Sequence, residues 1–207
     1  MSGPAGHSLT GAIARAWVHP RAAMARQVEE GLSEPRALFH LMLASGLLFV
    51  ASLPAAVASA RRLTVEDPVS GTVAAHIFGY FFVAPLLAYG VAALAHLCVR
   101  AFGGRAPFLA ARSALFWSVL VVAPAVLAVT ALEALALPLL GGAALPLVRV
   151  LGYLGVAFWV WVFAASLAEA EGLRATWPVV LGAVLVLGAL VAVLATLAFF
   201  ASGSGRA

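Results

Sequence analysis

Residues 113–168 read SALFWSVLVVAPAVLAVTALEALALPLLGGAALPLVRVLGYLGVAFWVWVFAASLA, and Glu133 and Arg149 are the charges within them. As one continuous helix this stretch would run about 84 Å, against a bilayer hydrocarbon core of about 30 Å. Pro138, Gly141, Gly142 and Pro146 sit near its middle. Proline and glycine end helices and supply turn conformations. The stretch therefore predicts two membrane crossings folded back as a hairpin, over 113–137 and 147–168.

Working outward, the same reading gives three more crossings. One covers 37–60 and is closed by Arg61 and Arg62; a second covers 75–99 and stops at Arg100. The last covers 179–200, after Trp177 and Pro178, and carries fourteen Val, Leu or Phe residues without a charge. At roughly −0.3 to −0.6 kcal/mol each near a helix centre, those residues favour insertion by about 4 to 8 kcal/mol. The expected fold is all-α: a five-helix polytopic bundle over 37–200, preceded by a segment 1–36 and followed by a Gly/Ser tail at 201–207.

Composition agrees. The 207 residues are 64% hydrophobic and 10% charged, with a mean hydropathy of +1.09. A soluble domain carries about 25% charged residues, so a soluble globule and a disordered chain are both excluded. All twelve basic residues are arginine, lying at span ends rather than in a nucleic-acid-binding patch. That placement suits anionic lipid headgroups and membrane orientation. With the N-terminus cytoplasmic, Arg15, Arg21, Arg26, Arg36, Arg100, Arg105, Arg112 and Arg174 are inside. Arg61, Arg62, Arg149 and Arg206 are then outside. The expected topology is N-terminus in, C-terminus out.

Segment 1–36 is too polar to cross. Leu9, Ile13 and Trp17 recur every four residues, as do Met24, Val28 and Leu32, with arginines and glutamates on other faces. This predicts short amphipathic helices at the membrane interface, broken at His19-Pro20. Ser33-Glu34-Pro35 is expected to cap the first span.

Ionisable groups within spans are functional candidates by default. Depth along the spans allows two pairs, His40 with His96 and His76 with Glu133. A proton relay or counter-ion role competes with simple snorkelling to the headgroups. His76 and His96 are separated by about 30 Å of helix, so they cannot share a metal. Pro54, Pro85 and Pro124 are candidate kinks in the first three spans. Gly152 with Gly155, and Gly188 with Ala192, give small faces for helix packing. Cys98 is alone, which excludes an internal disulfide and a multi-thiolate metal site.

Several chemistries lack their residues. H-E-x-x-H, G-x-S-x-G, a P-loop and a dinucleotide fingerprint are all missing, and Asp67 is the lone aspartate, so an intramembrane aspartate dyad is excluded. No catalysis and no cofactor are expected. Two readings remain: a membrane organiser or adaptor, or a small transporter or permease component using His76 and Glu133. Five spans do not divide into equal inverted halves, which disfavours the transporter unless the protein forms a homo-oligomer. The expected partners are the bilayer and a protein met through the N-terminal segment or the helical faces.

One further pattern bears on the choice. Trp17-Val18-His19-Pro20-Arg21 and Ser33-Glu34-Pro35-Arg36-Ala37-Leu38 lead directly into the spans. His76-Ile77-Phe78-Gly79 opens the second, and Ala111-Arg112-Ser113-Ala114-Leu115-Phe116-Trp117 leads into the third. Over roughly residues 14–200 the chain resembles the Yip-one domain family of membrane proteins, named for interaction with Rab GTPases, in its bacterial form. The resemblance implies a cytoplasmic N-terminal segment, a five-helix integral domain and a place in the bacterial cytoplasmic membrane. It transfers no site residue, and the long polar N-terminal region of many eukaryotic members is missing here.

Overall fold

The computed structural model describes residues 8–64, 66–177 and 179–182. Those residues form seven α-helices: α1 (Leu9–Val18), α2 (Pro20–Glu29), α3 (Glu34–Ala60), α4 (Pro68–Phe78), α5 (Ala84–Ala101), α6 (Phe108–Leu140) and α7 (Leu145–Ala170). A π-helical turn, Gly79–Val83, makes α4 and α5 one continuous rod, and a 3-10 turn, Gly141–Ala144, joins α6 to α7. Glu34–Ala60, Pro68–Ala101, Phe108–Leu137 and Leu145–Ala170 are long and apolar enough to cross a membrane. These contain the first four expected spans. Of the fifth, 179–200, only the helical 179–182 is described; the remainder lies outside the described residues.

Local chemistry sets the boundaries. The Ser8 hydroxyl accepts the Gly11 N–H (3.2 Å) and caps α1. Proline follows at the first turn of α2, α3 and α4, where its missing N–H costs nothing. His19 (φ −129°, ψ 67°), held out of the helical region before Pro20, breaks α1 from α2 as expected from the sequence. Ser33 occupies the N-cap of α3, but its side chain makes no cap bond; Pro35, at the second helical position, has no N–H to offer it. The rod begins earlier than expected, at Pro68, where Asp67 (φ 45°) accepts the Ser70 N–H (3.4 Å). Its π-turn precedes Pro85, and the Ala84 N–H reaches back five residues to the Gly79 carbonyl. Proline at 85 offers no N–H to the preceding turn, and the wider register accommodates that loss. The α6–α7 reversal falls at Gly141, whose φ of +56° favours glycine.

α6 is the hub, packed against α3, α5, α7 and α1. Its seam with α3 carries alanines, with larger side chains between them, at heptad spacing. Ala37, Leu41, Ala44 and Ala51 on α3 are buried, as are Ala110, Ala114, Trp117 and Val121 on α6. Lipid chains are as apolar as the side chains, so close packing rather than water exclusion holds such helices together. Alanine permits that approach. Hydroxyls within the apolar helices bond back to their own turn, as Ser118 does to the Leu115 carbonyl (2.7 Å).

α1 and α2 pack on this bundle. Ala16 and Met24 are fully buried, and Leu9 and Ile13 lie against the core. α2 runs along α7 and α1 touches α6. The Trp17 indole N–H donates to the Val121 carbonyl (2.7 Å), and its ring meets Phe158 edge-on. Val121 lies beside Leu120, whose carbonyl Pro124 leaves without its helical N–H.

Candidate functional site

Polar side chains gather where α3 begins, α5 ends, α6 begins and α7 ends. Glu171, just past α7, is buried. Its carboxylate pairs with His96 Nδ1 (2.8 Å) and accepts the Ala106 N–H (3.2 Å). The α5–α6 turn wraps this carboxylate. Gly103 has φ +95°, and a Cβ on Gly104 would lie 2.6 Å from Val99 Cγ1 and 3.0 Å from Glu171 Oε2. Only glycine lets the turn close there.

A second set lies beside it. Glu34 Oε1 accepts from the Tyr89 hydroxyl and the Arg112 guanidinium, each at 2.8 Å. The guanidinium lies over the Phe108 ring (4.6 Å) and the Tyr89 ring (5.6 Å), where the aromatic faces attract cations. Phe108 also meets the His96 ring at 5.6 Å. Through that ring the Glu34 and Glu171 sets touch.

Arg21 of α2 forms the third set. It donates to Glu169 (3.0 Å), to the carbonyls of Leu173 (2.8 Å) and Arg174 (3.1 Å), and to the Thr176 hydroxyl (3.4 Å). Carbonyls past a helix C-terminus lack intrahelical donors, and arginine there also complements the helix dipole. α2 is thereby fastened across the end of α7.

Charge is uneven between the ends. At the converging end eight arginines meet five glutamates, an excess of three positive charges. At the other end Arg61, Arg62 and Arg149 balance Glu66, Asp67 and Glu133.

The structure brings neither expected pair together. His40 is buried between α3 and α6, its ring centroid 5.1 Å from that of Trp117. His96 bonds to Glu171 instead. His76 uses Nδ1 on the Thr72 carbonyl of its own helix (2.9 Å), on α4, which packs against α3. Glu133 lines a groove among α3, α6 and α7. Pro54 is internal to α3, Pro85 follows the π-turn and Pro124 lies within α6. Among the described residues no three His, Cys, Asp or Glu side chains gather as a metal cage.

Sequence reasoning passed over Glu171, Glu34, Tyr89, Arg112 and Arg21 as a set. The available signal was the placement of five of the eight acidic residues at the arginine-rich end, where opposite charges are close enough to pair. In comparisons with known proteins, no family model, no curated protein and no solved structure matches this chain.

Proposed function

We propose that the protein is a non-enzymatic membrane organiser or adaptor of the Yip-one domain type, presenting α1 and α2 to a protein partner. The observation that carries this reading is the fourfold clamp of Arg21 on the end of α7. A segment held that firmly is a built surface rather than a tether. Val18, Val28 and Trp17 are exposed on it and are the side chains a partner would meet. The charge excess at this end supports a cytoplasmic N-terminus by the positive-inside rule; the family resemblance adds a bacterial cytoplasmic membrane, and a fifth crossing over 179–200 puts the C-terminus outside. Alkaline phosphatase fused at Ala207 is then active; an inactive fusion reverses the topology.

The adaptor reading is tested by a photo-crosslinker placed at Val28 in native membranes. One defined protein neighbour is captured, and Arg21→Ala loses it while the bundle still accumulates. If positions across α1 and α2 capture lipid alone, the reading fails.

A second reading, a small transporter or permease component, draws on Glu133 in its groove. It predicts that Glu133→Gln abolishes flux of a solute while the protein accumulates normally. His76 bonds the Thr72 carbonyl of its own helix through Nδ1 and is not among the residues lining the groove.

A further inference from the structure

The groove among α3, α6 and α7 is partly open and has a volume of about 440 Å³, within the range of small-molecule sites. Val122, Val126, Gly152, Gly155 and Trp159 line it, and Glu133 is its single ionisable residue. A Cβ built on Gly152 or Gly155 meets nothing within 4 Å. The two glycines hollow the α7 wall, and among the described residues no neighbouring helix lies against it.

Helix rise fixes the depth of the groove. Glu133 is 21 residues beyond Arg112 on α6, and Arg149 is 20 residues before Glu169 on α7. Each separation is about 30 Å, the thickness of the hydrocarbon core. With the converging end at one headgroup layer, Glu133 and Arg149 both stand at the opposite one. Arg149 adjoins the lining residue Val148 and precedes Gly152 by one turn, so it flanks the groove. Among the described residues neither charge makes an ion pair. Between them they offer a carboxylate and a guanidinium at headgroup level, above an apolar channel. From Glu133 to the lining residue Val119 that channel runs about 21 Å, more than the roughly 15 Å of one leaflet.

We propose that this groove is a phospholipid site in the leaflet opposite the arginine-rich end, holding one acyl chain of phosphatidylethanolamine with its ammonium on Glu133 and its phosphate on Arg149. An ammonium donates to the carboxylate, whereas the quaternary amine of phosphatidylcholine cannot, and the glycerol head of phosphatidylglycerol brings no cation. The site thus selects ethanolamine among the three.

The test uses the full-length protein, reconstituted in equal parts phosphatidylethanolamine, phosphatidylcholine and phosphatidylglycerol, then extracted in mild detergent. Lipid retained on the monodisperse fraction is quantified by mass spectrometry. Phosphatidylethanolamine is expected in excess of the other two. Glu133→Gln reduces its retention about tenfold, the size of one charge-assisted hydrogen bond, and leaves phosphatidylglycerol unchanged. Gly155→Leu, which enters open space and favours helix, displaces phosphatidylethanolamine altogether. Equal retention of all three lipids, or no effect of either variant, overturns the proposal. So does an occupant from the protein itself. On a Cys98→Ser background, Gly155→Cys alone giving a covalent dimer identifies a second copy. Gly155→Cys with Ala192→Cys closing an intrachain disulfide identifies the chain's own last apolar stretch.

Discussion

The two ends of the α6–α7 pair are built from similarly apolar sequence and behave differently. At the converging end, residues 160 and 162–168 of α7 and 113–118 of α6 are buried. At the other end Leu132 is 52% exposed, Leu154 59% and Tyr153 75%. Hydrophobicity does not distinguish them, because in lipid an apolar side chain gains little by leaving the acyl chains for a protein core. The difference lies in the fasteners. The converging end has alanines that admit close approach, a glycine turn shaped around a carboxylate, and three cross-helix polar sets. Among the described residues, the splayed end has two glycines with no neighbour against them and a pair of charges without an ion pair.

That contrast can be broken residue by residue. Glu171→Ala should cost most, about 3 kcal/mol, because His96 and the Ala106 N–H lose their buried partner. Reversible unfolding in mixed micelles measures it; a loss under about 1 kcal/mol would mean the fastener is ornamental. Gly104→Ala comes next, at about 1–3 kcal/mol by overpacking, since its Cβ meets both Val99 and Glu171. In the Glu171→Ala background this penalty should shrink, and strictly additive effects would refute the shared origin.

Arg21→Ala is expected to cost about 1–2 kcal/mol; its side chain is 37% exposed, so water screens part of the pairing. Faster hydrogen exchange in residues 9–29, with α3 and α6 unchanged, is the matching signature, and uniform exchange would show that α1 and α2 do not open as a unit. The smallest effect has the opposite sign. Gly155→Ala at the splayed end should stabilise by about 0.5–1 kcal/mol through helix propensity alone, provided the groove is empty in the detergent used. Destabilisation there would mean that something already packs against the glycine.

Much of the architecture was legible because it follows from local rules. The break at His19-Pro20 comes from proline sterics, and the reversal near Gly141 from glycine's access to positive φ. The span ends come from charge and hydropathy. The pairings were not legible. His40 and His96 share a depth, as do His76 and Glu133, but depth gives position along a helix and not rotation about it. His76 satisfied itself on Thr72, four residues back, and His96 was turned toward Glu171, which lies beyond the span and outside any hydropathy window. Trp17, read as an interfacial anchor, reaches the Val121 carbonyl in the structure, a contact 104 residues distant in sequence.

By itself the sequence determined that this chain is an all-helical membrane protein, where its first four apolar crossings lie, and which end carries the positive charge. Those properties depend on solvent preference and backbone chemistry, which each residue expresses locally. The tertiary structure alone decided which helix meets which, that α1 and α2 are clamped to the bundle, and that Glu133 opens onto a groove while Glu171 is sealed beneath a turn. In a bilayer every apolar face is equally content, so the choice among faces falls to small residues, kinks and a few hydrogen bonds, and these act only once the helices are side by side.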